Sequence, residues 1–270
     1  MILSGEKLAQ QTLRSLKKRI GSKRLCLTVI QVGEDPVSGK YIEEKRKVAK
    51  ELGVTFHLAH FPSTVSQAKL EQQIKKIGGN SKVSGMIVQL PLPRQLNTQR
   101  ALDLILKAKD VDVLSSTSFS DFALGTLSIL PPTVAAIALL LKETKKKLEG
   151  ARIAVVGAGR LVGLPTALWL AHQGATISLI QKGTRNTSQI ISKADIIISG
   201  VGKPGLVTGN MIKKGAVVID AGTSVEGGSM KGDVQEESVA RKASYLTPVP
   251  GGVGPLTVAC LFQNLFLLNE

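Results

Sequence analysis

Along the chain, short apolar runs alternate with amphipathic stretches of several turns, and the alternation falls into two blocks. In the first block a helix over 6–20 precedes the strand LCLTVIQV. A helix over 36–52, the strand VTFHLAHF, a helix over 66–77, the strand GMIVQLPLP and a helix over 97–107 follow. KDVDVLSSTSFSDFALGTLSIL then reads as an irregular connector, and PTVAAIALLLKETKKKLEG as a long helix leading into the second block. There RIAVVGAG, ATISLIQ, ADIIISGVG and GAVVIDAG are near-continuous apolar strands of the kind a parallel sheet buries on both faces. The closing helix, GPLTVACLFQNLFLL, has almost no polar face, so it is expected to pack between other elements and to return to the first block. Strand and helix in regular alternation predict an α/β protein of two domains.

Composition narrows the class. With 43% hydrophobic residues and 27 glycines the chain suits an α/β protein and not a disordered one, and no apolar run reaches the ~18 residues of a membrane span. The first segment, SGEKLAQQTLRSLKKRI, lacks the apolar core of a signal peptide, so a cytoplasmic location is expected. Cys26 and Cys260 lie inside apolar runs, and His57, His60 and His172 have no ligand spacing; buried thiols and no metal are expected. The 35 Lys and Arg against 20 Asp and Glu raise nucleic acid as a partner. These charges are spread over the polar faces of several helices, however, and only 3% of residues are aromatic, too few for a base-stacking platform. No nucleic-acid partner is expected; the basic field suits small polyanions such as phosphorylated cofactors or carboxylated substrates.

Two segments carry chemistry. VVGAGRLVGLP follows a strand and opens a helix, so Gly157 and Gly159 allow a tight turn and close approach to a pyrophosphate, with the third glycine at Gly163. Set in a strand–helix–strand unit, this predicts a Rossmann-type dinucleotide-binding domain. The second strand ends in LIQKGT, with Lys182 where a carboxylate would hold the free ribose of NAD; this favours NADP, with a merely solvated Lys182 as the other reading. The second segment is EDPVSGKYIEEKRKVAKELGV. Asp35 is a cap, Pro36 suits the first helical position and Gly53 the stop. Val37, Tyr41, Ile42, Val48, Ala49 and Leu52 share one face with Lys45 at its middle, while every other charge lies opposite. Such a lysine either snorkels to water or is desolvated, with a lowered pKa that lets it move protons near neutrality.

The segments DPVSGKYIEEKRK, VQLPLP, KDVD, VGLP, GAVVIDAG, GDV and TPVPGGVGPLT, in that order, resemble the bifunctional methylenetetrahydrofolate dehydrogenase/cyclohydrolase family over essentially the whole chain. The resemblance implies oxidation of 5,10-methylenetetrahydrofolate with NADP, or NAD, and hydrolysis of the methenyl product to 10-formyltetrahydrofolate, in one cleft. It implies Lys45 as the catalytic lysine, Gln89 as its hydrogen-bonding partner and Asp112 on the pterin edge. Tyr41 would stack on the folate, and Ser38, Pro250, Gly251 and Gly252 would also bind substrate. Gly157, Ala158, Gly159, Gly163, Lys182 and Thr133 would hold the cofactor. The implied domains are a folate-binding catalytic domain over 1–130, the Rossmann-type domain over 131–248, and a cleft loop with a C-terminal helix over 249–270 that packs on the first domain. A homodimer formed through the dinucleotide domain and a role in one-carbon metabolism and purine synthesis are implied as well.

Several positions depart from the family pattern. Val113 replaces the glycine after Asp112, which opens another backbone path for that loop. LPPTVAA retains Thr133 but changes its neighbours, and Ala158 stands where the family has an arginine for the 2′-phosphate. Val113 and the altered PPTV segment motivate a second reading, a degenerate folate-binding or regulatory protein without turnover. Lys45, Gln89 and Tyr41 together argue against it.

Overall fold

The computed structural model describes residues 1–226 and 229–270, with the side chains of Pro36 and Val37 excepted; the place expected for Val37 on the apolar face therefore lies outside the described residues. The chain divides into two compact units, one of residues 11–132 and 258–270, the other of residues 1–10 and 133–257.

The first of these units starts within α1 (Gly5–Ile20) and continues through β1 (Cys26–Val32), α2 (Pro36–Leu52), β2 (Thr55–Phe61), α3 (Gln67–Gly78), β3 (Gly85–Val88), α4 (Thr98–Leu102) and α5 (Ser116–Ala123). Its three strands form a parallel sheet in the order β2-β1-β3. The buried strand β1 lies at the centre, and a parallel bridge from Met86 to Asp110 continues the sheet beyond β3. Ile30, Leu70, Ile74, Met86 and Leu102 form the fully buried heart of one core cluster. Helix α2 starts and ends where its sequence says it should: Asp35 accepts a hydrogen bond from the Ser38 backbone N–H at its start, and Gly53 closes it with φ 73°.

The other unit holds α6 (Pro132–Glu143) from Thr133 onward, β4 (Arg152–Val156), α7 (Gly163–His172), β5 (Thr176–Ile180), α8 (Thr187–Ser192), β6 (Ile196–Ser199), β7 (Val217–Asp220), the antiparallel pair β8 (Ser224–Glu226) and β9 (Ser229–Lys231), α9 (Glu236–Ala240) and β10 (Tyr245–Leu246). Its parallel sheet has the order β10-β7-β6-β4-β5. From β4 the chain moves outward to β5 and then returns to β6 on the other side, so the strand order reverses between β4 and β6. Ligands of open α/β sheets bind outside the carboxyl ends of the strands at such a point. The closing helix α10 (Val253–Leu267) contributes its residues from Val258 onward to the unit that holds β1–β3, as expected from its missing polar face.

Several elements differ from the sequence reading: among them, β3 stops at Val88, short of the strand read over GMIVQLPLP. The helix expected over 97–107 stops at Leu102, because the Asp103 carboxylate is occupied by Gln99 and by the backbone N–H of Ser116. The stretch read as irregular contains α5, capped by Ser115, whose hydroxyl accepts from the Ser118 N–H; Phe119 and Phe122 pack ring to ring with centroids 5.9 Å apart. A serine-rich segment reads as loop, but a cap and two aromatic rings suffice for two helical turns. The long helix α6 ends at Glu143, where the Thr144 hydroxyl donates to the Leu141 carbonyl and Lys145 turns left-handed at φ 53°. Finally, β5 is an edge strand with partly exposed residues, not one buried on both faces.

Candidate active site

The site in the unit built on β1–β3 starts from the apolar face of α2. Lys45 is only 8% exposed, whereas Lys40, Glu43, Glu44, Arg46, Lys47 and Lys50 of the same helix are all exposed. Its ammonium donates to Gln89 Oε1 at 3.0 Å. Gln89 follows β3 and is held against β1 by its backbone N–H, which donates to the Ile30 carbonyl at 2.8 Å. Its amide is oriented by its other end, since Nε2 donates to the Leu90 carbonyl at 3.0 Å and leaves Oε1 for the lysine. The Ser38 hydroxyl donates to that same Leu90 carbonyl at 3.2 Å, and Ser38 is buried. The Leu90–Pro91 peptide that follows is cis. Tyr41, one turn before Lys45, sits with its ring centroid 6.0 Å from the ammonium.

Asp112 completes the group. Burial pushes its carboxyl up to about 6 against the opposing pull of the Lys45 charge, and the nearby Asp110 adds to the rise. Burial in turn lowers the pKa of Lys45, and Asp112 partly restores it. Two groups of opposite sign are thus both displaced towards their neutral forms, a pattern that concentrates where protons are handled. The loop that carries Asp112 is fixed on both sides. Before it, the buried Asp110 accepts from the N–H groups of Leu114 and Ser115 and from the Ser115 hydroxyl. After it, Val113 takes φ 58° with its side chain fully buried. The valine therefore keeps a left-handed turn where glycine is the usual occupant, at a backbone cost of about 1–2 kcal/mol for a β-branched residue. Asn264 of α10 adds a further hold, donating to the Val111 carbonyl at 2.9 Å and to Leu130 at 2.8 Å.

The other unit carries the remaining residues. Gly157 leaves β4 at φ 97°, and a Cβ there would lie 2.9 Å from the Gly200 carbonyl oxygen. A Cβ on Gly163 would stand 1.7 Å from the Gly157 carbonyl oxygen, so α7 can begin this close to the turn only with glycine. That cradle at the reversal of the strand order fits a dinucleotide pyrophosphate. Ala158 and Gly159 complete the turn, Thr133 lies half-buried in the first turn of α6, and Lys182 is exposed just past β5. The loop with Pro250, Gly251 and Gly252 follows β10. The Gly251 carbonyl accepts from the N–H groups of Gly5 and Glu6, and a Cβ on Gly5 would meet the Gly252 carbonyl oxygen at 1.7 Å. Gly252 itself faces the Pro248 carbonyl oxygen at 2.4 Å from a built Cβ. Two of these glycines thus serve close approach of the chain to itself.

Sequence reasoning missed Asp110, Asn264 and the buried pair Asp220 and Asp233. An aspartate inside KDVD or a lone asparagine in an apolar helix was visible, but nothing local distinguishes a buried acceptor from a solvated one. Among the described residues no cluster of histidine, cysteine or carboxylate side chains is placed to hold a metal ion. Burial pushes the Cys260 thiol up to about 12 and raises Cys26, which leaves both as protonated packing groups.

A dinucleotide cradle in one unit and a buried lysine beside a half-buried amide and carboxylate in the other define a two-domain nicotinamide-dependent enzyme. Residues 3–112 match the catalytic-domain model of tetrahydrofolate dehydrogenase/cyclohydrolase, and residues 131–270 match its NAD(P)-binding domain. The chain is 39% identical over 269 residues to the bifunctional protein FolD of Nitratiruptor sp., covering 97% of this chain and 95% of the relative. It is 40% identical to that of Thermodesulfovibrio yellowstonii, covering 97% and 94%. Among solved structures it resembles the bifunctional FolD enzyme of Campylobacter jejuni, with TM-score 0.95, 36% identity, and 99% and 98% of the two chains covered. It also resembles the Trypanosoma brucei enzyme complexed with NADP and an inhibitor, with TM-score 0.94, 32% identity, and 99% and 96% covered. The chain belongs to the tetrahydrofolate dehydrogenase/cyclohydrolase family.

Proposed function

We propose that this chain oxidises 5,10-methylenetetrahydrofolate to 5,10-methenyltetrahydrofolate with NADP and then hydrolyses the product to 10-formyltetrahydrofolate. The observation that carries this is Lys45, buried in an apolar helix face and held by the Gln89 amide oxygen at 3.0 Å beside a carboxylate whose pKa is raised to about 6. NADP, when bound, supplies the hydride acceptor; the glycine cradle after β4 would hold its pyrophosphate and Lys182 its 2′-phosphate.

The chain's own residues account for the rest. Asp112 accepts paired hydrogen bonds from the pterin amino and ring N–H groups and fixes the ring. Tyr41 offers a flat face for stacking on the folate. In the hydrolytic step a water adds to the cationic methenyl carbon, and Lys45 in its neutral form takes the proton that the water loses. The resulting ammonium returns that proton to N5 as the bond from the carbon to N5 breaks, while the second water proton leaves the hydroxyl for solvent as the formyl C=O forms. The lysine ends as it began, and the net step releases one proton. A lysine of ordinary pKa would be protonated before the water arrived, and burial, by lowering its pKa, favours the neutral form that can take the proton. The neutral amide of Gln89 holds the nitrogen without adding a charge that would raise its pKa.

Finer expectations join this reading: a cytoplasmic homodimer formed through the dinucleotide unit, supplying one-carbon units to purine synthesis, with domains divided near 130 and 248. The deciding experiment is a spectrophotometric assay of methylenetetrahydrofolate oxidation with NADP and with NAD, followed by methenyl hydrolysis without nucleotide. Turnover in both steps, faster with NADP, is expected. Binding of folate without either turnover would establish the degenerate reading instead.

A further inference from the structure

Two buried carboxylates lie at the carboxyl ends of the dinucleotide-binding sheet, and neither belongs to the site built on α2. Asp233 is fully buried, and three donors converge on it at 2.7 Å each: the Ser199 hydroxyl at the end of β6, and the backbone N–H groups of Val201 and Lys203 in the loop that follows. Asp220, at the end of β7, accepts from the N–H groups of Gly222, Asp233 and Val234 at 2.9, 3.1 and 2.9 Å. Its own N–H donates to the Thr247 hydroxyl at 2.7 Å, just before the segment that leads to Pro250. Glycine is required around both groups. A Cβ on Gly222 would meet an Asp233 carboxylate oxygen at 2.2 Å, and one on Gly232 an Asp220 carboxylate oxygen at 2.1 Å.

Burying two carboxylates side by side is costly, and an apolar filling would serve packing alone at less cost. What the carboxylates achieve is directional: each gathers backbone N–H groups that no strand can satisfy and sets the path of a loop. The loop gathered by Asp233 lies at the reversal of the strand order. Gly200 and Val201 in it back directly onto the Gly157 turn, with Val201 Cγ2 at 3.0 Å and the Gly200 carbonyl oxygen at 2.9 Å from a Cβ built on Gly157. Val162, at the entrance to α7, lies against Gly200.

We propose that Asp233 is a positioning residue for the dinucleotide: by holding the 200–203 loop against the Gly157 turn, it presets the wall of the cofactor cradle, with Asp220 fixing Asp233 in place. The proposal rests on the reading of this chain as an NADP-dependent folate enzyme. Hydrolysis of the methenyl compound needs no nucleotide and draws its chemistry from Lys45, Gln89 and Asp112, so it reports chiefly on the other unit.

Asp233→Asn keeps the shape but turns one acceptor atom into a donor, so one of the converging N–H groups loses its partner. Direct titration with NADP and steady-state kinetics are expected to show Kd and KM for NADP raised about tenfold. KM for methylenetetrahydrofolate and the nucleotide-free hydrolysis rate should stay within about twofold of the parent. NADP affinity equal to the parent's, or equal losses in NADP binding and in nucleotide-free hydrolysis, overturns the proposal. Should Asp233→Asn fail to fold, Ser199→Ala decides: removing one of the three donors is expected to weaken NADP about threefold, and an unchanged affinity overturns the proposal. Titration needs no turnover, so a parent chain that binds NADP but turns over neither folate would refute the enzymatic reading and leave this test intact.

Discussion

At the scale of single residues, the tightest constraint is on Lys45. An ammonium on an apolar helix face is unfavourable unless its charge can be shed or shared, and the structure provides both, with a lowered pKa and the Gln89 amide. Lys45→Met, which suits the apolar face and keeps most of the volume, is expected to leave the melting temperature within a few degrees and to slow methenyl hydrolysis by at least ~100-fold. Hydrolysis at the parent rate would remove Lys45 from the chemistry. Asp112 makes a pH-dependent prediction. As pH falls through about 6 its carboxylate takes up a proton and can no longer accept two hydrogen bonds from a pterin. KM for methylenetetrahydrofolate should therefore rise below that pH, and Asp112→Asn should bind folate weakly at every pH without this step, with NADP affinity unchanged. The stability effect has a definite sign. The raised pKa means that the folded chain binds more protons than the unfolded one between the ordinary 3.8 and about 6, so this group's contribution falls as pH rises through that window. Lys45 was visible in the sequence because helical periodicity places it among apolar neighbours. Asp110 was not, because its three donors come from a loop that only folding brings round it.

At the scale of elements, α10 joins packing to the site. It is apolar nearly all round, yet the buried Asn264 bridges the carbonyls of Val111 and Leu130. Val111 adjoins Asp112, so the helix holds the backbone from which that carboxylate projects. Asn264→Leu would keep the volume but leave the buried Val111 carbonyl and the half-buried Leu130 carbonyl without this donor, at an expected cost of ~2–3 kcal/mol in denaturant unfolding. It should also raise KM for folate more than KM for NADP; a variant as stable as the parent would show that the two carbonyls find other partners. The elements that differed from the sequence reading have a common cause. Residues such as Asp103, Ser115 and Thr144 spend their side chains on nearby backbone, and this competition ends or starts helices wherever a partner is in reach. Periodicity registers the apolar face of a segment and is blind to that competition.

At the scale of the whole molecule, the net charge of +15 is the largest single electrostatic fact. The excess is spread over exposed helix faces, so it acts as a diffuse field and not as a groove for a polymer. The field should favour capture of anionic ligands at low ionic strength. KM for NADP is expected to rise several-fold between ~20 and ~200 mM salt, as the screening length shrinks from roughly 20 to under 10 Å. A flat salt profile would confine electrostatic recognition to contacts inside the site. Oligonucleotides tested by filter binding over the same series should bind weakly.

Much of this protein was legible in the order of its residues. Apolar runs of strand length set between amphipathic helices require buried parallel sheets, because only such layers cover both faces of those strands. The glycines of VVGAGRLVGLP were informative because a missing Cβ has few uses at the end of a strand, and Lys45 because charge seldom lies in an apolar stripe. Strand order was beyond reach: the hydrophobic pattern is the same whichever neighbour a buried strand has, and pairing across the sheet places the reversal between β4 and β6. The same holds for the shifted pKa values of Lys45 and Asp112 and for the hydrogen bonds gathered by Asp110, Asp220, Asp233 and Asn264. Burial and partnership are properties of three-dimensional neighbourhood: Lys45, Asp233 and Asn264 meet partners 30 or more residues away along the chain, and even Asp110, whose donors lie four and five residues on, depends on a turn that only the folded loop makes.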